Sequence, residues 1–125
     1  IKYNLEKRVH FLNSLPFHSL PTLYQGAELF FFPSFFEGFG IPIVEALFSK
    51  VPVVTSMGSC FPESAGPHSI FTDPNDISSM LEGITTVLDS SHLKNQMINE
   101  GIKYSEQFSL KNTNNELVKI YHSLI

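Results

Sequence analysis

Short apolar runs alternate with stretches of helical periodicity along this chain, and that alternation predicts its architecture. Residues 9–12 (VHFL), 28–32, 51–55 (VPVVT) and 69–71 are β-favouring and bounded by polar or turn residues, so they read as four buried strands. The run at 51–55 is apolar throughout, as a strand covered on both faces requires. Between the strands, Ser19 is placed to cap a helix carrying Leu20, Leu23 and Tyr24, with Pro21 in its first turn and Gly26 at its end. A second helix is expected over 41–48, with Pro42 near the start where a missing N–H costs nothing. A short helical turn is expected over 62–65. Asp73 to Asp76 form a turn and cap, after which Ile77, Met80, Leu81, Ile84, Val87 and Leu88 recur at helical spacing and predict a core-facing stripe. Two more helices follow, over 91–107 and 110–124. The last carries Leu117, Ile120, Tyr121 and Leu124 on one side, a stripe that needs a packing partner. Strands alternating with helices imply parallel pairing through right-handed crossovers. The expected class is α/β: a Rossmann-like parallel sheet with flanking helices, ending in helices. The phenylalanines at 30–32, 35 and 36 are assigned mostly to its core.

Composition narrows the function classes. With 125 residues, 42% hydrophobic and 16% charged, the chain has the size and balance of one globular domain. Eight Lys and Arg against twelve Asp and Glu give a net charge of −4 without a basic cluster, which argues against a nucleic-acid partner. The single cysteine, Cys60, excludes an intrachain disulfide and fits a reducing compartment. Residues 1–20 do not read as a signal peptide, and the apolar stretch over 29–36 falls well short of the roughly 18 residues of a spanning helix, so a membrane would be touched only from outside. There is no internal repeat or linker. The chain starts a few residues before a strand that looks central, and it therefore reads as a piece of something longer.

Chemistry concentrates in PSFFEGFGIPIVE, residues 33–45, where Glu37 and Glu45 stand eight positions apart around a glycine-rich turn. In a parallel sheet, ligands bind outside the carboxyl ends of strands, which is where this strand-to-helix loop lies. Gly38 and Gly40 permit positive φ and close approach of a ligand, and the helix beginning near Ile41 aims free N–H groups and its positive dipole end at the same spot. Such a loop suits an anion such as a diphosphate. Phe39, between the two glycines, is expected to project inward or over the ligand. Two carboxylates flanking an anion suit hydroxyl-rich groups on either side of it, while no third acidic residue stands near enough to suggest a metal pair. Taken alone, a glycine-rich turn is common. Glu45 can equally be a solvated helix residue and Glu37 a cap for Gly40.

The longer string PSFFEGFGIPIVEALFSKVPVV closely resembles the signature of retaining, nucleotide-sugar-dependent glycosyltransferases of family 4, the group 1 glycosyltransferases of GT-B fold. Their E-x7-E motif is matched by Glu37 and Glu45, with Gly38, Phe39, Gly40 and Pro42 between them. LPTLYQGAELFFFPS at 20–34, PESAG at 62–66, Asp73-Pro74 and Phe108-Ser109 look familial as well. The resemblance implies that residues 1–125 form the later part of a C-terminal donor-binding domain, the acceptor-binding N-terminal domain being absent. It implies Glu37 on the donor sugar, as the catalytic residue, and the loop after it (Gly38, Phe39, Gly40, Ile41) on the diphosphate. Glu45 would then bind the ribose. The implied reaction transfers a sugar, with retention, from a nucleotide diphosphate sugar to an acceptor hydroxyl on a glycan or lipid-linked acceptor. No metal or other cofactor is implied. The parent would work in polysaccharide biosynthesis in the cytoplasm, up to the inner face of the membrane with peripheral attachment there, and the isolated piece would be inactive.

Two positions depart from the family pattern. Asn13 stands where glycine is usual after the first strand, and asparagine keeps a left-handed turn best among substitutes. Lys50 replaces the glycine after the motif helix, at a cost of about 1 kcal/mol if left-handed. The five histidines, His10, His18, His68, His92 and His122, lack ligand spacing and read as structural or surface groups. Cys60 reads as an inert thiol near the site, and residues 56–59 with Glu63 as part of the same sheet edge. Two rivals stay open beside the transferase: a non-catalytic nucleotide- or phosphate-binding or structural module of the same fold, and a GT-B enzyme of phosphorolysis or epimerisation, which E-x7-E disfavours.

Overall fold

The computed structural model of the protein describes residues 3–124. Three strands, β1 (Phe30–Phe32), β2 (Val53–Ser56) and β3 (Ile70–Thr72), form a parallel sheet in the order β1-β2-β3. Phe31 stands opposite Val54, and Thr55 opposite Phe71. Around the sheet lie α1 (Leu20–Gln25), α2 (Ile41–Phe48), α3 (Phe61–Ala65), α4 (Ile77–Leu88), α5 (Ser91–Ser105) and α6 (Leu110–Ser123), with 3-10 turns at Phe17–Ser19 and Glu106–Phe108. The expected class, a parallel α/β sheet with flanking helices, is the class found.

β2 is buried at every residue, and its alternation feeds two clusters. Val53 packs with Ile43, Ala46, Leu47, Val51, Phe61 and Ala65 under α2 and α3. Val54 points the other way, to Val87 of α4 and Met97 of α5, with Leu29, Phe31, Ile70 and Leu93 around them. Each such fully buried side chain contributes about 1.5–3 kcal/mol relative to exposure. The predicted cap at the start of α4 is present, the Asp76 side chain accepting from a backbone amide, and Ser90 and Ser109 cap α5 and α6 in the same way. Ser19 precedes α1 without a side-chain cap bond, because the chain enters that helix already wound as a 3-10 turn.

Four expectations need correction. Residues 9–12 are not a strand: they run outside the sheet, with Phe11 82% exposed, and the amides of Arg8 and Val9 close a turn on the Leu5 carbonyl. A strand exists only by its ladder partner, and neither edge of this sheet engages that segment. Asn13 is not left-handed; the non-glycine residues that are comprise Asn4, Lys50 and Ser59 among the described residues. Lys50, at φ 61, does carry the predicted backbone cost. Phe35 and Phe36 are 69% and 79% exposed, since the strand ends at Phe32 and the chain turns outward into the loop, whereas Phe30–Phe32 do pack into the clusters.

The buried line of α4 is also narrower than its apolar stripe. Gly83 and Val87 face the sheet, while Ile77, Leu81 and Leu88 are exposed. The helix approaches closest where its side chain is smallest: a Cβ on Gly83 would stand 2.6 Å from Thr72 Cγ2 and 3.2 Å from Val54 Cγ1. α6 buries no residue; its apolar positions Leu117, Ile120, Tyr121 and Leu124 are exposed, and the partner its stripe calls for is not among the described residues. No described helix is long and apolar enough to cross a membrane.

Candidate functional site

Because the strands are parallel, their carboxyl ends share one edge, and the loop over 33–40 leaves β1 there. The segment after β2 meets it: Cys60 Sγ donates to the Glu37 carbonyl at 3.4 Å. Gly40 ends the loop at φ 87 as the N-cap of α2. A Cβ there would meet Ser64 Oγ at 3.1 Å and Ile43 Cδ1 at 3.2 Å, so both the left-handed backbone and the space against α3 demand glycine. Gly38, by contrast, is not at positive φ and has open space where a Cβ would go. No side chain caps α2. Pro42 has no amide to offer, so the Ile41 N–H at the positive end of the helix faces the loop unclaimed.

The two carboxylates flank this helix start in the chain. Glu37, half-buried, accepts from Ser34 Oγ at 2.9 Å through Oε1. Glu45, half-buried in α2, accepts from the Tyr24 hydroxyl of α1 at 3.1 Å through Oε2, so its other oxygen is the one left for a ligand. Glu45 and Tyr24 line a cavity of about 430 Å³ together with Phe17, His18, Pro21 and Phe48. That size lies in the usual range for small-molecule sites, and the walls are mainly aromatic and apolar. Glu37 does not line this cavity. Of the two carboxylates, only Glu45 therefore opens onto this cavity.

Burial first, then the hydrogen bond to Glu45, then that carboxylate's charge push the Tyr24 hydroxyl up to about 12 from 10.0. Ionisation would face Glu45 with a second anion. The folded value lies above the unfolded one, so Tyr24's contribution to stability is full below pH 10 and is lost as pH rises through 12. Tyr24→Phe should cost about 1 kcal/mol at neutral pH. In urea unfolding at stepped pH, the gap between wild type and variant should close above pH 10; a constant gap counts against this coupling.

Phe39 turns toward the C-terminal segment. Its ring meets Phe108 edge to face, with centroids 5.3 Å apart, and Phe108 meets Tyr104 in the same manner at 5.8 Å. Of the remaining sheet-edge residues, Ser56 is buried with its hydroxyl unpartnered, Met57, Gly58 and Ser59 are exposed, and the Glu63 carbonyl accepts from the Tyr104 hydroxyl at 2.6 Å. Among the described residues no three His, Cys, Asp or Glu side chains gather as a metal site. Tyr24, Ser34 and Phe108 are the members of this arrangement that sequence reasoning missed. Tyr24 gave a physical signal, since a tyrosine on an apolar helix face needs a partner for its hydroxyl, whereas Ser34 and Phe108 stood out only as parts of strings that look familial.

Comparison with known proteins places this geometry in a family. Residues 1–104 match the family model for glycosyl transferases group 1. The chain is 34% identical over 116 residues to O-antigen chain mannosyltransferase B of Escherichia coli, covering 93% of this chain and 30% of that protein. It is 38% identical over 90 residues to mannosylfructose-phosphate synthase of Agrobacterium fabrum, covering 70% of this chain and 19% of that protein. The sucrose-phosphate synthase from Thermosynechococcus elongatus superposes with a TM-score of 0.87 at 22% identity, over 98% of this chain and 32% of the other, which shows a shared fold. The chain thus spans less than a third of each of these proteins. With a GT-B-type parallel α/β fold and a family match over most of its length, the chain belongs to the group 1 glycosyltransferases.

Proposed function

We propose that residues 1–125 are the later part of the C-terminal, donor-binding domain of a retaining glycosyltransferase that uses a nucleotide diphosphate sugar. The observation that carries the reading is the uncapped start of α2 at Gly40 and Ile41, which stands between Glu37 and Glu45 in the chain, with Glu45 on the wall of an apolar cavity. The diphosphate lies on the amides of Phe39, Gly40 and Ile41, where the helix dipole and the free donor favour negative charge. Glu45 binds ribose hydroxyls with the oxygen that Tyr24 leaves open, and the apolar cavity takes the rest of the nucleoside. Glu37, oriented by Ser34, meets the hydroxyls of the donor sugar.

In the reaction, the bond between the anomeric carbon and the diphosphate oxygen breaks and a bond to the acceptor hydroxyl forms on the same face. The acceptor's proton ends on the departing phosphate. Catalysis on this side is positioning together with stabilisation of the leaving diphosphate, and it draws on donors already fixed in the loop. Three of the similar proteins are named mannosyltransferases, which favours a hexose donor; a separate N-terminal domain would hold the glycan or lipid-linked acceptor.

The test uses the full-length polypeptide that carries this chain, incubated with GDP- and UDP-hexoses and oligosaccharide acceptors, with release of nucleoside diphosphate as the readout. Acceptor-dependent release is expected from one nucleotide series. Binding of GDP or UDP without turnover across the panel would instead favour the non-catalytic module.

A further inference from the structure

The donor loop has almost no backbone anchorage of its own. Residues 34–39 belong to no helix, strand or hydrogen-bonded turn, and the bonds they receive come from side chains: Ser34 Oγ to the Phe36 carbonyl at 3.3 Å and Cys60 Sγ to the Glu37 carbonyl at 3.4 Å. Both anchors grip the first half of the loop. Toward its end, Phe39 meets the ring of Phe108 and Gly40 packs on α3.

What holds Phe39 comes from the far end of the domain. Phe108, at the end of the 3-10 turn after α5, presents its ring at 76° to that of Phe39, and Tyr104 flanks Phe108 at 69°. Tyr104 is itself fixed by its hydroxyl on the Glu63 carbonyl of α3 and by its ring against the bare Cα of Gly66. A chain of contacts therefore runs from α3 through Tyr104 and Phe108 to the end of the donor loop, and both ring–ring links have edge-to-face geometry, the favourable electrostatic arrangement for two rings.

We propose that Phe108 is a positioning residue for the diphosphate grip: through Phe39 it holds the Phe39–Ile41 amides in their anion-facing arrangement without touching the ligand. This rests on the donor reading given above. It separates two parts of the site, because Phe108 acts on the loop and does not line the cavity formed by α1 and Glu45. A diphosphate ligand should feel its loss, and a ligand that ends before the second phosphate should not.

The experiment compares wild type, Phe108→Ala, Phe108→Leu and Phe108→Tyr in the full-length polypeptide. It measures the affinities for GDP, UDP, GMP and UMP and the backbone NMR order parameters of residues 34–41. An edge-to-face pair sets the scale at about two- to tenfold. Phe108→Ala should weaken the preferred nucleoside diphosphate by that factor, leave its monophosphate unchanged and lower the order parameters of the loop. Phe108→Tyr, which keeps the ring, should leave all three at their wild-type values. If the alanine variant does not fold, Phe108→Leu keeps most of the volume and should give the same split. Equal loss of diphosphate and monophosphate affinity, or unchanged affinity and unchanged order parameters, would overturn the proposal. A wild type that binds neither GDP nor UDP overturns the donor reading, and lowered loop order parameters in Phe108→Ala would then still uphold the clamp on the loop.

Discussion

Replacing Glu37 with glutamine should lower turnover by about 10²–10³-fold, the scale seen when one preorganised polar group is taken from a transition-state site. The substitution keeps length and shape but removes the charge. Ser34 can still donate to the remaining carbonyl oxygen, and no other side-chain bond to Glu37 is lost. Stability should therefore move by no more than about 0.5 kcal/mol. The proposed function gives the carboxylate its role from position: it is half-buried within the loop proposed to hold the diphosphate, where its full charge would act on a sugar developing positive character at the anomeric carbon. Turnover at saturating donor, together with urea unfolding of the same preparations, decides the matter. A variant with wild-type turnover would remove Glu37 from the chemistry. A variant that loses turnover and stability together would point to a structural carboxylate.

Gly66→Ala should give the largest loss of stability from a single methyl group in this chain. Gly66 ends α3 at φ 71 and ψ 175, a region essentially reserved for glycine. A Cβ there would lie 2.6 Å, 2.7 Å and 2.8 Å from three ring atoms of Tyr104. That ring cannot easily yield, because its hydroxyl is bonded to the Glu63 carbonyl and its edge is packed on Phe108. Backbone strain and overpacking add to roughly 2–5 kcal/mol, a large fraction of a typical domain's stability. Urea unfolding measures the sum, and a Tyr104→Ala background separates its parts: there the steric share vanishes and only the backbone share, about 1–3 kcal/mol, remains. A loss below about 1 kcal/mol in the single variant would contradict this account.

The parts of the fold legible in the sequence were those whose cause is local. β2 announced itself because five consecutive apolar or β-branched residues suit only a strand covered on both faces, and α2 because Pro42 and the glycine before it mark a helix start. The strand expected at 9–12 failed for the complementary reason: its β propensity was real, but pairing depends on a neighbour that no local pattern reveals. The same division runs through the candidate site. The loop, its glycines and both carboxylates lie within 33–45 and could be read as one string. The bond from Tyr24 to Glu45 spans 21 residues, and the contact between Phe39 and Phe108 joins distant elements, so neither could be seen before the chain was folded. Gly38 and Gly40 looked equivalent in sequence; only packing against Ser64 and Ile43 shows that the second is the constrained one.

Among the described residues β1, a three-phenylalanine strand, is paired on one side only, by β2. Its other side offers a row of backbone donors and acceptors with no charged residue in the strand to discourage a visitor, which is a template for adding further strands. Prepared alone at high concentration, the chain is thus set up to associate edge to edge with its own copies. A binding isotherm recorded under those conditions would mix ligand uptake with self-assembly unless the concentration dependence is followed alongside.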